Sequence, residues 1–250
     1  MGEAVEAALA RAGATVAILA RTPQTVAELS DRINAEGGSA VAIPCDVLDR
    51  DQVVHAAARV SELCGRVDLL VNAAGGNKPE ATAMPGQRAF FDLPPEALEW
   101  VFNLNLMGTI LPSQVFGAHM AAQNSGAIIN ISSMASMQPL THVVAYAAAK
   151  AAINNFTQWL AVYMATQHSA ALRVNAIAPG LLLPSFDQTQ AEYEETASRN
   201  PMRRPIDVDD VGAAHGNGSG LRVGFAAGIG GGLQGLYDEG GEVHAAGIRS

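Results

Sequence analysis

Five short apolar runs alternate with longer stretches of helical periodicity, and this alternation leaves the chain few folds to choose from. The runs are ATVAIL (14–19), SAVAIPC (39–45), VDLLV (67–71), GAIINI (126–131) and LRVNAI (172–177). Each is nearly continuous in Val, Ile, Leu and Ala, the pattern of a strand buried on both faces. Between them lie predicted helices over 23–37, 49–63, 94–123 and 144–167. Pro23 stands in the first turn of the first of these and Gly37 just past its end. Short connections of this kind imply a parallel sheet with helices on both faces. Another helix opens the chain over 2–12. There Val5, Ala8, Leu9 and Ala12 share one face, Glu3, Glu6 and Arg11 turn away, and Gly13 caps the end.

Bulk properties narrow the function. At 250 residues the chain has room for one α/β domain with a sizeable core, and 49% hydrophobic content excludes general disorder. A net charge of −9 with no basic stripe argues against nucleic acid as a partner. Cys45 and Cys64 are too few for a disulfide framework or a cysteine zinc site, and suit a reducing compartment. No signal peptide and no membrane-length apolar run stand out, so a soluble cytoplasmic protein is expected. Residues 212–250 depart from the pattern: they are rich in glycine, lack periodicity, and read as an irregular C-terminal segment beyond a domain over 1–211.

In an open parallel sheet, ligands bind beyond the carboxyl ends of the strands. The five runs end in Ala20-Arg21-Thr22, Cys45-Asp46-Val47, NAAGG (72–76), Ser132-Ser133 and APG (178–180). Small, polar and glycine residues at all five ends suggest an extended nucleotide-like ligand. NAAGG and APG also serve as tight turns. Within YAAAK, Tyr146 and Lys150 lie four apart on one helix face. An ammonium there favours tyrosinate and lowers the phenol pKa. Any helix can place such a pair by chance, so its weight comes from context. Ser133, which can equally cap a helix, stands where a hydroxyl could polarise a carbonyl. Asn105, in NLNLMG, is a poor mid-helix residue that could extend a proton relay or simply face water.

The ordered set CDV, NAAG, NLMG, ISS, YAAAK and NAIAPG resembles the short-chain dehydrogenase/reductase family over roughly residues 2–211, with Ser133 placed 13 positions before Tyr146. NAAGGNKPEAT, FFDL and ILPSQVFG look closest to members called D-mannonate oxidoreductase or fructuronate reductase. The resemblance implies a Rossmann-like doubly wound sheet and hydride transfer between NAD(P) and a carbonyl or secondary alcohol, here a sugar acid. It implies that Tyr146 is the acid or base and that Lys150 lowers its pKa and holds the ribose. Ser133 would steady the oxygen and Asn105 complete the relay. It further places Gly2, Arg21, Asp46, Val47, Asn72, Ala73, Gly75, Pro179 and Gly180 on the cofactor. Ala20 followed by Arg21, where an acid would select NAD, leans the choice toward NADP. Asn77, Lys78, Gln138 and His142 flank the site as substrate candidates, each equally readable as a solvated loop residue. No metal is implied, and the two long helices imply a dimer or tetramer.

The family pattern also has an initial strand and a Gly-x-x-x-Gly-x-Gly turn, of which Gly2 would be the last glycine. The expectation is therefore a sheet lacking its first strand, with a gap between 14–19 and 67–71 or direct closure of the two. Pro184 replaces a frequent threonine, and IGGGL (229–233), with Gly230 in place of an acid, is a faint counterpart of the family's last strand. The alternatives to an active enzyme are a catalytically impaired relic or a non-catalytic oligomeric binding protein.

Overall fold

A computed structural model describes residues 2–138, 142–179 and 222–227, the last as backbone. Its elements, in chain order, are α1 (Gly2–Arg11), β1 (Thr15–Ala20), α2 (Pro23–Ala35), β2 (Ser39–Pro44), α3 (Arg50–Cys64) and β3 (Leu69–Ala73). They continue with α4 (Pro95–Phe102), α5 (Gly108–Gln123), β4 (Gly126–Ile131), α6 (Val144–Gln167), β5 (Leu172–Ile177) and β6 (Arg222–Ala227). Periodicity alone places the first five strands and every helix, with one interruption described below. The local signals act as read. Gly13 takes φ +88°, open to glycine at low cost, while Ala14 N bonds back to Leu9 O at 3.0 Å. Asp49 caps α3 by accepting from the amides of Asp51 and Gln52.

The sheet has six strands in the order β2-β1-β6-β3-β4-β5, and every pairing is parallel. Alternate residues of each strand feed two cores. Val16, Ile18 and Val71 pack with Val5, Leu9, Val26 and Ile33 of α1 and α2. Ala17, Leu19 and Leu70 pack with α3, α5 and α6 through Val53, Phe116, Met120 and Leu160. This is the doubly wound arrangement expected.

Three expectations are corrected. First, neither a gap nor direct closure separates β1 from β3. Strand β6 lies between them, with Thr15 opposite Arg222 through Leu19 opposite Ala226, and Leu69 opposite Val223 through Ala73 opposite Ala227. In the common doubly wound order 3-2-1-4-5-6, this is the slot of strand 1. Two flanking strands with open ladders reward any strand that satisfies both, and that outweighs the entropy cost of Gly224. The glycine-rich segment is thus a strand at 222–227; Gly230 and IGGGL lie outside the described residues. Second, Glu6 does not face solvent. It is 1% exposed, while Ala12, assigned to the apolar face, is exposed. Third, the helix predicted over 94–123 is broken by a π turn at Asn103–Met107 between α4 and α5. Among the described residues, no helix is long and apolar enough to cross a membrane.

Candidate active site

Four pieces of chain converge at the carboxyl ends of β3, β4 and β5: the loop after β3, the loop after β4, the first turns of α6 and the π turn. The π turn exists because Asn105 has better partners than a regular helix would offer. Its Oδ1 accepts from Gly76 N at 3.1 Å, and its Nδ2 donates to Gly76 O at 2.7 Å and Val101 O at 2.8 Å. This two-way grip fixes the loop after β3. π turns commonly mark functional sites. Asn105 is fully buried, and its amide is occupied by the loop rather than directed to Lys150.

Gly75 lies directly under this grip. A Cβ built there would stand 2.6 Å from Asn105 Oδ1 and 3.1 Å from Lys150 Nζ, so a larger residue would displace one or both. Lys150 is 2% exposed; its Nζ donates to Ile131 O at 2.8 Å and sits 5.6 Å from the centre of the Tyr146 ring. Ser132 Oγ donates to Lys150 O at 3.3 Å, and Ser132 N donates to Ile177 O, tying the ends of β4, β5 and α6 together. Ser133 caps a 3₁₀ turn at Met134–Ser136 by accepting from Ala135 N at 3.1 Å. The capping reading and the site reading of Ser133 are compatible, since accepting leaves its hydroxyl proton free to point elsewhere. Tyr146 is 4% exposed and its Oη is buried without a hydrogen bond of ordinary geometry.

The electrostatics reverse one expectation. Burial pushes the Tyr146 phenol up to about 12, against a weaker downward pull from the nearby Ser133 hydroxyl. Burial also pushes Lys150 down to about 7. The expectation is that an ammonium at Lys150 lowers the phenol pKa. In the enclosed rim, desolvation of both groups exceeds any attraction between them.

The remaining sequence candidates divide. Val47 is buried beside Ala74 and close to Gly108, and Arg21 is exposed at the end of β1. Asp46 Oδ1 accepts from Leu48 N, which turns the carboxylate back on its own loop. Asn72 is fully buried, and its Nδ2 donates to Ser113 Oγ on α5 and to Asn130 Oδ1 opposite it on β4, while its Oδ1 is enclosed without a partner. Ala73 is half-buried and Gly2 begins α1. Pro179 O accepts from Met134 N; Gly180 and Pro184 lie outside the described residues. Among the substrate candidates, Lys78 Nζ lies over the Trp100 ring at 5.2 Å and Gln138 is exposed. His142 Nδ1 is 2.8 Å from Ala83 O and the ring lines a hollow of about 700 Å³ with Met84, Arg88 and Phe90. The cation on that hollow is Arg88, which sequence reading missed. The Pro85-Gly86 turn that presents it was the available signal.

A doubly wound sheet with its buried polar rim at the strand carboxyl ends defines a nucleotide-binding type of α/β protein. The chain belongs to the short chain dehydrogenase family, whose model matches residues 1–195. It is 47% identical over 183 residues to the uncharacterized oxidoreductase UxuB of Bacillus subtilis (strain 168), covering 70% of this chain and 64% of that protein. It is 41% identical over 184 residues to an uncharacterized oxidoreductase of Haemophilus influenzae, again 70% and 64%. The chain thus spans just under two thirds of the length of these relatives. Among solved structures it is similar to a protein from Haemophilus influenza provisionally named D-mannonate oxidoreductase, with bound NAD. That match has 34% identity and TM-score 0.77, over 90% of this chain and 89% of that one. It is also similar to an NAD⁺-bound xylitol dehydrogenase, at 26% identity and TM-score 0.75 over 91% and 94%.

Proposed function

We propose that the protein is an oxidoreductase that moves a hydride between a nicotinamide nucleotide and a carbonyl or secondary alcohol. The observation that carries this is Tyr146 Oη: a proton-bearing oxygen, buried, without a hydrogen bond of ordinary geometry, and grouped with Ser133 and Lys150 at the sheet rim. Such an atom is costly unless a bound molecule completes it. The rim suits a nicotinamide nucleotide, since the missing Cβ at Gly75 lets Asn105 Oδ1 and Lys150 Nζ close onto the loop and holds the Lys150 cation at the strand ends. When bound, that group supplies or receives the hydride. Lys150, the loop from Ala73 to Gly75, Val47 and the backbone of Pro179 would hold it, and exposed Arg21 favours a 2′-phosphate, hence NADP. In reduction Tyr146 gives its phenolic proton to the carbonyl oxygen while Ser133 donates a hydrogen bond to the same oxygen. A phenol held protonated near neutrality suits this direction.

Hydroxylated acids of the D-mannonate kind are the substrate class we favour, on the similarity to the solved structure so named and on Arg88 at the hollow as a carboxylate partner. Exposed Trp159 and Val162 on α6, with Trp159 stacked on Tyr163, favour self-association. The test is NADPH-dependent reduction of fructuronate. Tyr146→Phe is expected to lower turnover by about 10³-fold with the fold intact; retained turnover refutes the assignment.

A further inference from the structure

The turn beyond Gly76 carries an acceptor with nothing to accept from. Asn77 Nδ2 donates to Thr82 Oγ1 at 2.8 Å and, at longer range, to Lys78 O at 3.3 Å. The Thr82 hydroxyl gives its single proton to Lys78 O at 3.0 Å. With that proton committed, Thr82 can only accept, so Asn77 must show it an N–H and not the carbonyl. The turn therefore fixes which way the amide faces and leaves Oδ1 directed elsewhere. That oxygen is shut from solvent and has no donor among the described residues. Buried acceptors in folded proteins are rarely left so.

Its place gives the orphan a use. Asn77 follows Gly76, whose N–H and carbonyl are both held by Asn105. Gly75, just before, lies beneath Asn105 Oδ1 and Lys150 Nζ. On the other side, the hollow that contains His142 begins at Ala83, directly after Thr82. Along the chain, Asn77 thus stands between the loop held by Asn105 and the segment that lines the hollow.

We propose that Asn77 Oδ1 accepts a hydrogen bond from a substrate hydroxyl, and that the protein selects hydroxylated carbonyl compounds over their deoxy counterparts through it. This rests on the reading that the rim interconverts a carbonyl and an alcohol. A ketone or carboxylate oxygen placed there would set lone pair against lone pair, whereas a hydroxyl completes the acceptor. Because the oxygen is enclosed, a substrate without that hydroxyl leaves it unpaired, which is how sites built for a hydroxyl reject analogues lacking one.

The test compares acetoin with 2-butanone, which differ by one hydroxyl on the carbon beside the carbonyl. The full chain is expected to favour acetoin by about tenfold in kcat/KM, chiefly through KM. Asn77→Ala is expected to lower acetoin more than 2-butanone, so that the ratio of their kcat/KM values falls to about one. Asn77→Asp, which keeps an acceptor, retains the preference. The same ratio in the parent and in Asn77→Ala overturns the proposal. Trp100, beside Lys78, reports binding without turnover in a Trp159→Phe background. If neither ketone is reduced but acetoin alone changes Trp100 fluorescence, and Asn77→Ala removes that change, the redox reading falls and the acceptor stands. An equal response to both ketones, or none, overturns the acceptor.

Discussion

Asn105 and Glu6 are both shut from solvent on helical segments, and their surroundings treat them in opposite ways. Asn105 meets Gly76 N, Gly76 O and Val101 O, so every hydrogen-bonding atom of its amide has a backbone partner. Glu6, on α1, is 1% exposed and neither carboxylate oxygen has a partner. The cation across from α1, Arg32, reaches Glu3 instead. Burial, reinforced by the negative charge of Glu3, pushes Glu6 up to about 8. Burial as such is therefore not the strain; burial without partners is. The fold supplies partners where the loop after β3 must be held, and leaves α1 with a carboxyl that stays folded by keeping its proton.

The largest effect is expected at the partnered residue. Asn105→Leu removes three hydrogen bonds and strands both backbone groups of Gly76, a loss of about 5 kcal/mol in urea unfolding. A loss under about 1 kcal/mol would show that the grip on Gly76 is not structural, and the comparison would fail.

Glu6 comes next, and its sign depends on pH. Between about pH 4.5 and 8 the folded chain binds a proton on Glu6 that the unfolded chain releases. Stability therefore falls as pH rises through that window. Glu6→Met removes this slope and is expected to gain about 4 kcal/mol relative to the parent at pH 8. Lys150 works in the opposite sense. Its folded pKa of about 7 lies below the ordinary 10.5, so the unfolded chain holds the extra proton between those values and stability rises with pH. The two slopes together place a stability minimum near pH 7–8, measurable as the lowest Tm in a pH series. Glu6→Met should retain the rise from about pH 7 to 9, above which the raised pKa values of Cys45 and Tyr146 oppose it.

A smaller effect is expected for Gly75→Ala. The new Cβ meets Asn105 Oδ1 and Lys150 Nζ, both fixed by their own hydrogen bonds, and the cost is about 2 kcal/mol with weakened NADPH binding by fluorescence titration. Smallest in stability is Tyr146→Phe. The phenol oxygen has no hydrogen bond of ordinary geometry to lose, only the weak pull of the Ser133 hydroxyl, so the variant should match or exceed the parent by up to about 1 kcal/mol while activity falls. A clear destabilisation would mean that Tyr146 Oη, like Asn105, has a structural partner.

Much of this was legible in the sequence, for definite reasons. Strands buried on both faces read as continuous apolar runs, and β1 to β5 do so. Tyr146 and Lys150 share a helix face because four residues make about one turn. Ser133 was found because a strand end must place its next residues on the rim. The misses share a different cause. A helical wheel put Glu6 outside because polarity was its only guide. The long helix over 94–123 hid the π turn, since the pull on Asn105 comes from Gly76, 29 positions away. Asn72 read as a rim residue although its amide is tied to Ser113 on α5 and to Asn130 on the adjacent strand β4.

The sequence by itself determined the elements, their order and the chemistry carried on the strand ends, because periodicity and residue type act within a few positions along the chain. Tertiary structure alone decided three things. It set β6 between β1 and β3, because an open ladder is satisfied by whatever strand reaches it, near or far in sequence. It set the direction of the Tyr146 and Lys150 pKa shifts, because desolvation depends on everything packed around a group. And it chose which enclosed polar atoms found partners and which, at Tyr146, Asn72, Asn77 and Glu6, did not.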